Sequence, residues 1–292
     1  MSRIWLPSSI ARSHRSFHCA SAHRLFSTSS PSEKQAKSTT MGQSTWSRSL
    51  SQRFNPAGIS LFAGVAAKHP HLALPHISVP DIRWIDWAEL ERLGFRGVVF
   101  DKDNTITAPY SLSLWPSLSH SFQQCRASFP GKIAVFSNSA GLRQYDPDGL
   151  EARALEDAIE GIHVIRHEVK KPSGTAEDIE NYFGCSASLL VMVGDRHFTD
   201  VVYGNINGFL TICTEPLTLS GETFIVKEVR KLENLLVNRW SQQGLKPLRH
   251  SLLSEIKQCV KPPSFAEYSV SDLKTEQMDR KREQKDKKRL RF

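Results

Sequence analysis

The chain of 292 residues has five cysteines, and they stand apart. Cys19, Cys125, Cys185, Cys213 and Cys259 form no C-x-x-C and no paired spacing, so neither a zinc site nor a disulfide framework is suggested. Free thiols in a reducing compartment are the expectation. Long apolar runs are also lacking. The longest clean one, 57–67, is closed by Lys68 and then broken by Pro70, Pro75 and Pro80. It falls short of the about 20 residues that span a bilayer. Neither G-x-x-x-x-G-K-[ST] nor G-x-G-x-x-G occurs, which disfavours a nucleotide-driven kinase and a dinucleotide enzyme.

Acidic residues are missing from the first 32 positions. Residues 1–40 carry +5, residues 241–292 carry +6, and residues 41–240 carry −3, so the basic character sits at the ends. A near-neutral body gives no footprint for nucleic acid, and no nucleic-acid partner is expected. Arg3, Arg12, Arg15 and Arg24 spread through a Ser-rich, acid-poor stretch without a continuous apolar stretch. Residues 1–40 therefore read as a disordered mitochondrial presequence, with a plain basic tail as the alternative. Residues 41–80 form an apolar segment that either packs on the domain or lies in a membrane interface. Residues 241–292 read as a basic, largely disordered tail.

Between these ends, 81–240, short apolar runs alternate with helical patterns. Strands are expected at 98–100, 132–136, 162–165, 188–193 and 209–213. Helices are expected at 81–93, 117–129, 150–159, 175–183, 198–206 and 224–240. Asp86 with Glu89 marks the first helix start. Phe224, Val229, Leu232, Leu236 and Trp240 lie near one face of the last helix. Strand–helix alternation predicts an α/β fold, a Rossmann-like parallel sheet with helices on both faces.

Four of the expected strands run into polar groups: Asp101, Asp103 and Thr105; Ser137 and Asn138; Lys171; and Asp195 with Asp200. In a parallel sheet they share the edge where α/β proteins bind ligands. Carboxylates for a divalent cation, hydroxyl and amide for an anion and one ammonium make a set suited to phosphoryl transfer.

D-K-D-N-T after an apolar strand, S-N after the next, K-P, and G-D-R-H-F-T-D together resemble the haloacid-dehalogenase-like (HAD) phosphatases. More narrowly, DKDNT, FSNSAG, VIRHEVKKP and VGDRHFTD, with the preceding NP, resemble the fungal mitochondrial phosphatidylglycerophosphate phosphatases. The resemblance covers about residues 54–240. It implies Asp101 as the nucleophile that forms an aspartyl-phosphate and Asp103 as general acid and then base. It implies Ser137 and Asn138 on the phosphoryl oxygens, with Thr105 helping to hold the loop. Lys171 neutralises charge, with Lys170 as runner-up. Mg²⁺ is the implied cofactor, held by Asp101, Asp103, Asp195 and Asp200, the last either ligating or orienting the lysine. The spans 105–137 and 139–171 are filled by core elements, so a capless or minimally capped, open site is expected. The substrate implied is a phospholipid, met peripherally at the matrix side of the inner mitochondrial membrane in cardiolipin biosynthesis. Arg143, Arg166, His167, Arg196 and His197 stand near the motif ends, where an anionic membrane or a second phosphate would meet them. Nucleic-acid ends or a phosphoprotein as substrate, or a non-catalytic membrane adaptor, are the alternatives.

Overall fold

Val98, Val99 and Phe100 are β-branched or aromatic, and a strand of such residues packs well when both faces of its sheet are covered. In this computed structural model, which describes residues 64–253 and 259–263, they belong to a fully buried strand, Gly97–Phe100. Six strands are described: β1 (Ile77–Val79), β2 (Gly97–Phe100), β3 (Ile133–Val135), β4 (His163–Val164), β5 (Leu190–Gly194) and β6 (Leu210–Thr214). Their order is β1-β6-β5-β2-β3-β4, and every neighbouring pair is parallel. Val98 pairs with Ile133 on one side and Val191 on the other. The chain leaves β2 towards β3 and later returns to β5 on the opposite side. That reversal opens a crevice at the carboxyl ends of β2 and β5, where sheets of this kind bind ligands.

Among the described residues, a helical stretch at 64–68 comes first, and six helices follow in chain order: α1 (Trp87–Arg92), α2 (Ser119–Ser128), α3 (Leu150–Ala158), α4 (Glu177–Phe183), α5 (Val202–Asn207) and α6 (Phe224–Gln242). Alternation along each strand divides the core in two. Val98, Phe100, Val191 and Val193 pack with Trp87, Leu90, Phe122 and Leu155 on one face. Val99, Ala134 and Met192 pack with Ile179, Phe183 and Tyr203 on the other. Burying each large side chain contributes about 1.5–3 kcal/mol, so both faces are needed to hold the central strand. The spans 105–137 and 139–171 hold only a 3₁₀ turn, α2 and β3, and α3 and β4, respectively.

Several elements depart from expectation. The helix expected over 81–93 is two pieces, a 3₁₀ turn at Ile82–Trp84 and then α1. The break is made at Ile85, which bridges to Val260, and at Asp86, whose carboxylate caps α1 by accepting from the Glu89 N–H at 3.2 Å. The described part of the apolar segment packs on the domain. Val65, Ala73 and Leu74 are buried with Phe198, Val202 and Val237. Ile77–Val79 then adds an unforeseen edge strand beside β6. The helix expected over 198–206 begins as a π-helical turn, His197–Val201, and becomes α5 only at Val202.

The apolar stripe read for α6 does not all face inward. Phe224 is 75% exposed and Leu232 47%, while Arg230, Glu233 and Val237 are buried. Leu236 and Trp240 do pack inward, on the Phe198 cluster. The described part of the tail read from 241 packs on the domain, with Cys259 buried in the core, Leu252, Leu253 and Val260 against it and Leu245 on the Phe198 cluster. The expected presequence 1–40, residues 41–63 of the apolar segment, 254–258 and those beyond 263 lie outside the described residues. No described helix is long and apolar enough to cross a membrane.

Candidate active site

β2 ends at Phe100, and Asp101 follows with its N–H donated to Val193 O on β5 at 2.8 Å. β5 ends in Gly194, and Asp195 follows. Asp200 comes from the π-helical turn after it. Gly194 is required there, because a Cβ would stand 2.4 Å from the Asp200 side chain. Oxygens of Asp101, Asp195 and Asp200 lie within 4.8 Å of one another.

Lys171 is the counterweight. Its ammonium donates to Asp101 Oδ1 at 2.8 Å, Asp200 Oδ1 at 2.7 Å and Phe136 O at 2.6 Å. Those three acceptors use its three hydrogens. Burial works against the Lys171 charge, but Asp101 and Asp200 outweigh it and push the ammonium up to about 12. Burial also pushes the Asp101 carboxyl upward; Lys171 opposes this, while Asp200 and Asp195 add to it. An ion-pair partner would ordinarily hold a carboxylate down, so the two shifts pull against each other. Burial accounts for most of the rise at Asp101, and the neighbouring Asp200 and Asp195 add to it. The charge on Lys171 is the firmer of the two, since oxygen acceptors surround it. Asp195 is raised by burial too, against Arg230, which donates to its Oδ2 at 2.7 Å and to its backbone O at 3.0 Å.

Hard carboxylate oxygens in this cluster fit Mg²⁺. Among the described residues, Asp101 Oδ2 and Asp195 Oδ1 carry no hydrogen bond, which leaves one oxygen of each for an ion. Asp200 is more fully engaged. Its Oδ1 holds Lys171, and its Oδ2 accepts from the Arg196 N–H at 3.1 Å and Thr199 Oγ1 at 3.4 Å. That geometry favours the lysine-orienting role over ligation.

The other expected site residues divide. Asp103 lines the same cavity, but its carboxylate lies outside the three-carboxylate cluster. Its Oδ1 accepts from Lys102 Nζ at 2.5 Å and the Tyr110 N–H at 2.8 Å, and its Oδ2 from Ser139 Oγ at 3.3 Å. Ser137 and Asn138 both line the cavity. The Ser137 hydroxyl is 3.0 Å from that of Ser139. The Asn138 side chain is spent on Lys171, accepting from its N–H at 2.7 Å and donating to its O at 3.2 Å. It therefore fixes the backbone that aims the lysine. Thr105 is buried, its hydroxyl has no partner among the described residues, and it does not line the cavity. It belongs to the loop turn, next to Asn104, whose φ of 64° is a left-handed conformation that Asn tolerates.

Sequence reasoning missed the α6 side of the site. Arg230 also donates to Glu222 Oε1 at 2.7 Å, and Asn104 Nδ2 donates to the same oxygen at 2.7 Å. Arg196 grips Glu233 through two bonds of 3.0 and 2.6 Å. The signal was present as Arg230, Glu233 and Val237, spaced to share a helix face. The other basic residues near the motif ends are also engaged. Arg143 pairs with Glu168, Arg166 with Glu156, and His197 Nδ1 lies 3.1 Å from Ala73 O. His167 lies between Ser137 O and Val169 O, 2.8 Å from each.

The cavity is ≈ 400 Å³ and joins two kinds of wall. One is polar, with Asp101, Asn138, Lys171, Asp195 and Asp200. The other is apolar, with Ile225, Val226, Val229 and Leu232 of α6.

Comparison with known proteins falls on the same part of the chain. The family described as mitochondrial PGP phosphatase matches residues 60–218. The chain is 59% identical over 215 residues to phosphatidylglycerophosphate phosphatase 1, chloroplastic/mitochondrial, of Arabidopsis thaliana, a match covering 74% of this chain and 62% of that protein. It is 48% identical over 203 residues to phosphatidylglycerophosphate phosphatase 1, chloroplastic, of Chlamydomonas reinhardtii, covering 70% and 75%. To the mitochondrial phosphatidylglycerophosphatase of Saccharomyces cerevisiae it is 33% identical over 146 residues, covering 48% and 76%. No solved structure matches. The matched span contains β2 and β5 with the carboxylates that follow them and Lys171 after β4, and on that match the chain belongs to the mitochondrial PGP phosphatase family.

Proposed function

We propose that the protein is a Mg²⁺-dependent phosphatase that hydrolyses phosphatidylglycerophosphate to phosphatidylglycerol and phosphate. The observation that carries this is Lys171, clamped between Asp101 and Asp200 at the foot of a cavity whose outer wall is apolar. The names of the relatives point to the same substrate.

Asp101 attacks the terminal phosphorus and forms an aspartyl-phosphate. A carboxylate approaching a phosphate dianion is repelled, and Lys171, 2.8 Å away, offsets part of that charge. Mg²⁺ held by Asp101 and Asp195 would supply further positive charge to the phosphoryl oxygens. Asp103 gives a proton to the leaving alkoxide and later takes one from the attacking water. The Ser137 hydroxyl and the Asn138 backbone amide receive the phosphoryl oxygens. Arg230 holds Asp195 in place from α6.

The lipid portion lies along α6. Ile225 and Leu232 line the cavity while remaining 42% and 47% exposed, and Phe224 and Leu235 are more exposed still. Exposed apolar residues at a cavity mouth suit a peripheral approach to a bilayer. With the mitochondrial names of relatives and the acid-poor residues 1–40, this supports action at the matrix side of the inner mitochondrial membrane, in cardiolipin biosynthesis. A substrate among nucleic-acid ends fits less well, because the α6 wall of the cavity is apolar and residues 41–240 carry −3.

The test is phosphate release from phosphatidylglycerophosphate, with Mg²⁺ and with chelator, beside a panel of soluble phosphomonoesters. Asp101→Asn is expected to fold and release no phosphate. Full lipid phosphatase activity in that variant, or faster turnover of an oligonucleotide 3′-phosphate than of the lipid, would sink the proposal.

A further inference from the structure

Four cationic residues line the cavity: Lys170, Lys171, Arg196 and Arg230. Three are committed. Lys171 has given its three hydrogens to oxygens. Arg196 is bidentate on Glu233. Arg230 bonds Asp195 and Glu222 through both of its Nη atoms.

Lys170 is different. Its Nζ is shielded from solvent and has no hydrogen-bond partner among the described residues. It rests over the ring of Tyr145, 5.3 Å from the centroid. An ammonium that has lost water and gained only a ring face is poorly compensated. Burial pushes it down to about 8. Lys170 and Lys171 are adjacent, yet one faces Tyr145 and the other the carboxylates, so Lys170 does not serve the phosphorus that Asp101 attacks. Asn138 fixes the backbone at Lys171, which anchors the base of the Lys170 arm as well.

We propose that Lys170 is a specificity residue that leaves the Tyr145 ring to hold a second anionic group of the substrate, the phosphodiester. This rests on the reading that the substrate is phosphatidylglycerophosphate, which carries a phosphodiester beside its terminal monoester. An unspent ammonium in a cavity otherwise rich in carboxylates gives that second phosphate a place and gives a simple phosphomonoester nothing extra.

The experiment compares wild type, Lys170→Met and Lys170→Arg on three substrates: phosphatidylglycerophosphate in detergent micelles, its soluble deacylated head group with both phosphates, and glycerol 3-phosphate. Methionine keeps an apolar stem against Tyr145, and a thermal melt of each variant checks folding. The wild type should favour the soluble head group over glycerol 3-phosphate. Lys170→Met should cut that preference about ten-fold, chiefly through KM, the scale of one charge-assisted hydrogen bond. Lys170→Arg should retain most of it. An unchanged preference in Lys170→Met, or no preference in wild type, overturns the role of Lys170. Because both of those compounds are soluble, this outcome is separate from the lipid reading, which fails if wild type does not favour the micellar lipid over glycerol 3-phosphate.

Discussion

Replacing Lys171 with methionine would remove the single cation between Asp101 and Asp200. At 2.8 and 2.7 Å, with an effective dielectric of ~20, each contact is an attraction of about 6 kcal/mol. Most of that is offset by the cost of burying the ammonium, which is 2% exposed. Truncation does not return this cost to the carboxylates, which stay buried and face Asp195. The expected loss is therefore about 3–5 kcal/mol, the scale for stranding one half of a buried pair. The folded protein has an escape, because one carboxyl can take a proton. The variant then binds more protons folded than unfolded, so its deficit grows as pH rises from 5.5 to 8. The wild-type lysine adds no slope in that window. Its folded value, about 12, lies above the unfolded one, and its contribution is lost only as pH climbs through both. Urea unfolding at the two pH values measures the deficit. The double variant Lys171→Met with Asp200→Asn removes one stranded charge and should be more stable than Lys171→Met alone. Wild-type stability for Lys171→Met at pH 8, or a double variant weaker than the single one, would refute this account.

Gly194→Ala would drive a Cβ to 2.4 Å from the Asp200 side chain; overpacking of about 1–3 kcal/mol is expected, and phosphate release should fall further than the melting temperature suggests because Asp200 is pushed from Lys171. His76 is pulled down to about 4 by burial and then by the nearby His250 charge. It stays neutral in the fold while the unfolded imidazole protonates, so up to about 3 kcal/mol is lost as pH falls from 6.5 to 4, and thermal melts of His76→Gln should show a shallower acid slope. Phe224→Ser with Leu235→Ser should reduce flotation with anionic vesicles while leaving turnover of a soluble monoester intact, since both side chains are exposed and neither lines the cavity.

Local signals made much of the sheet legible. β2, β3, β5 and β6 are apolar runs ended by polar or turn residues, and their boundaries fall within a few residues of expectation. β1 was hidden because three residues between prolines carry little periodicity, and the strand exists only through β6, far along the chain. At the site, strand ends named Asp101, Lys171, Asp195 and Asp200 correctly as neighbours. Geometry was needed to see that the Asp103 carboxylate stands apart and that Asn138 spends its amide on the lysine backbone. The α6 contribution was misread for a physical reason. Periodicity sends charge to solvent, but Arg230 and Glu233 are buried because each is met by an opposite charge from the site.

The edge strand β1 also sets an order of events during folding. It has no partner until β6 exists, and His76 and Thr211, which hydrogen-bond across this edge, are 135 positions apart. Closing a loop that long costs about 4 kcal/mol of chain entropy, which contacts near the N-terminus cannot repay alone. β2, β3 and β5 can assemble first around the nascent crevice, with β6 laid down beside β5. Until Ile77–Val79 arrives, β6 presents a bare edge of unpaired backbone N–H and C=O groups, open to pairing with another copy. The segment that closes the sheet is thus the first of its strands to be synthesised and among the last to find its place.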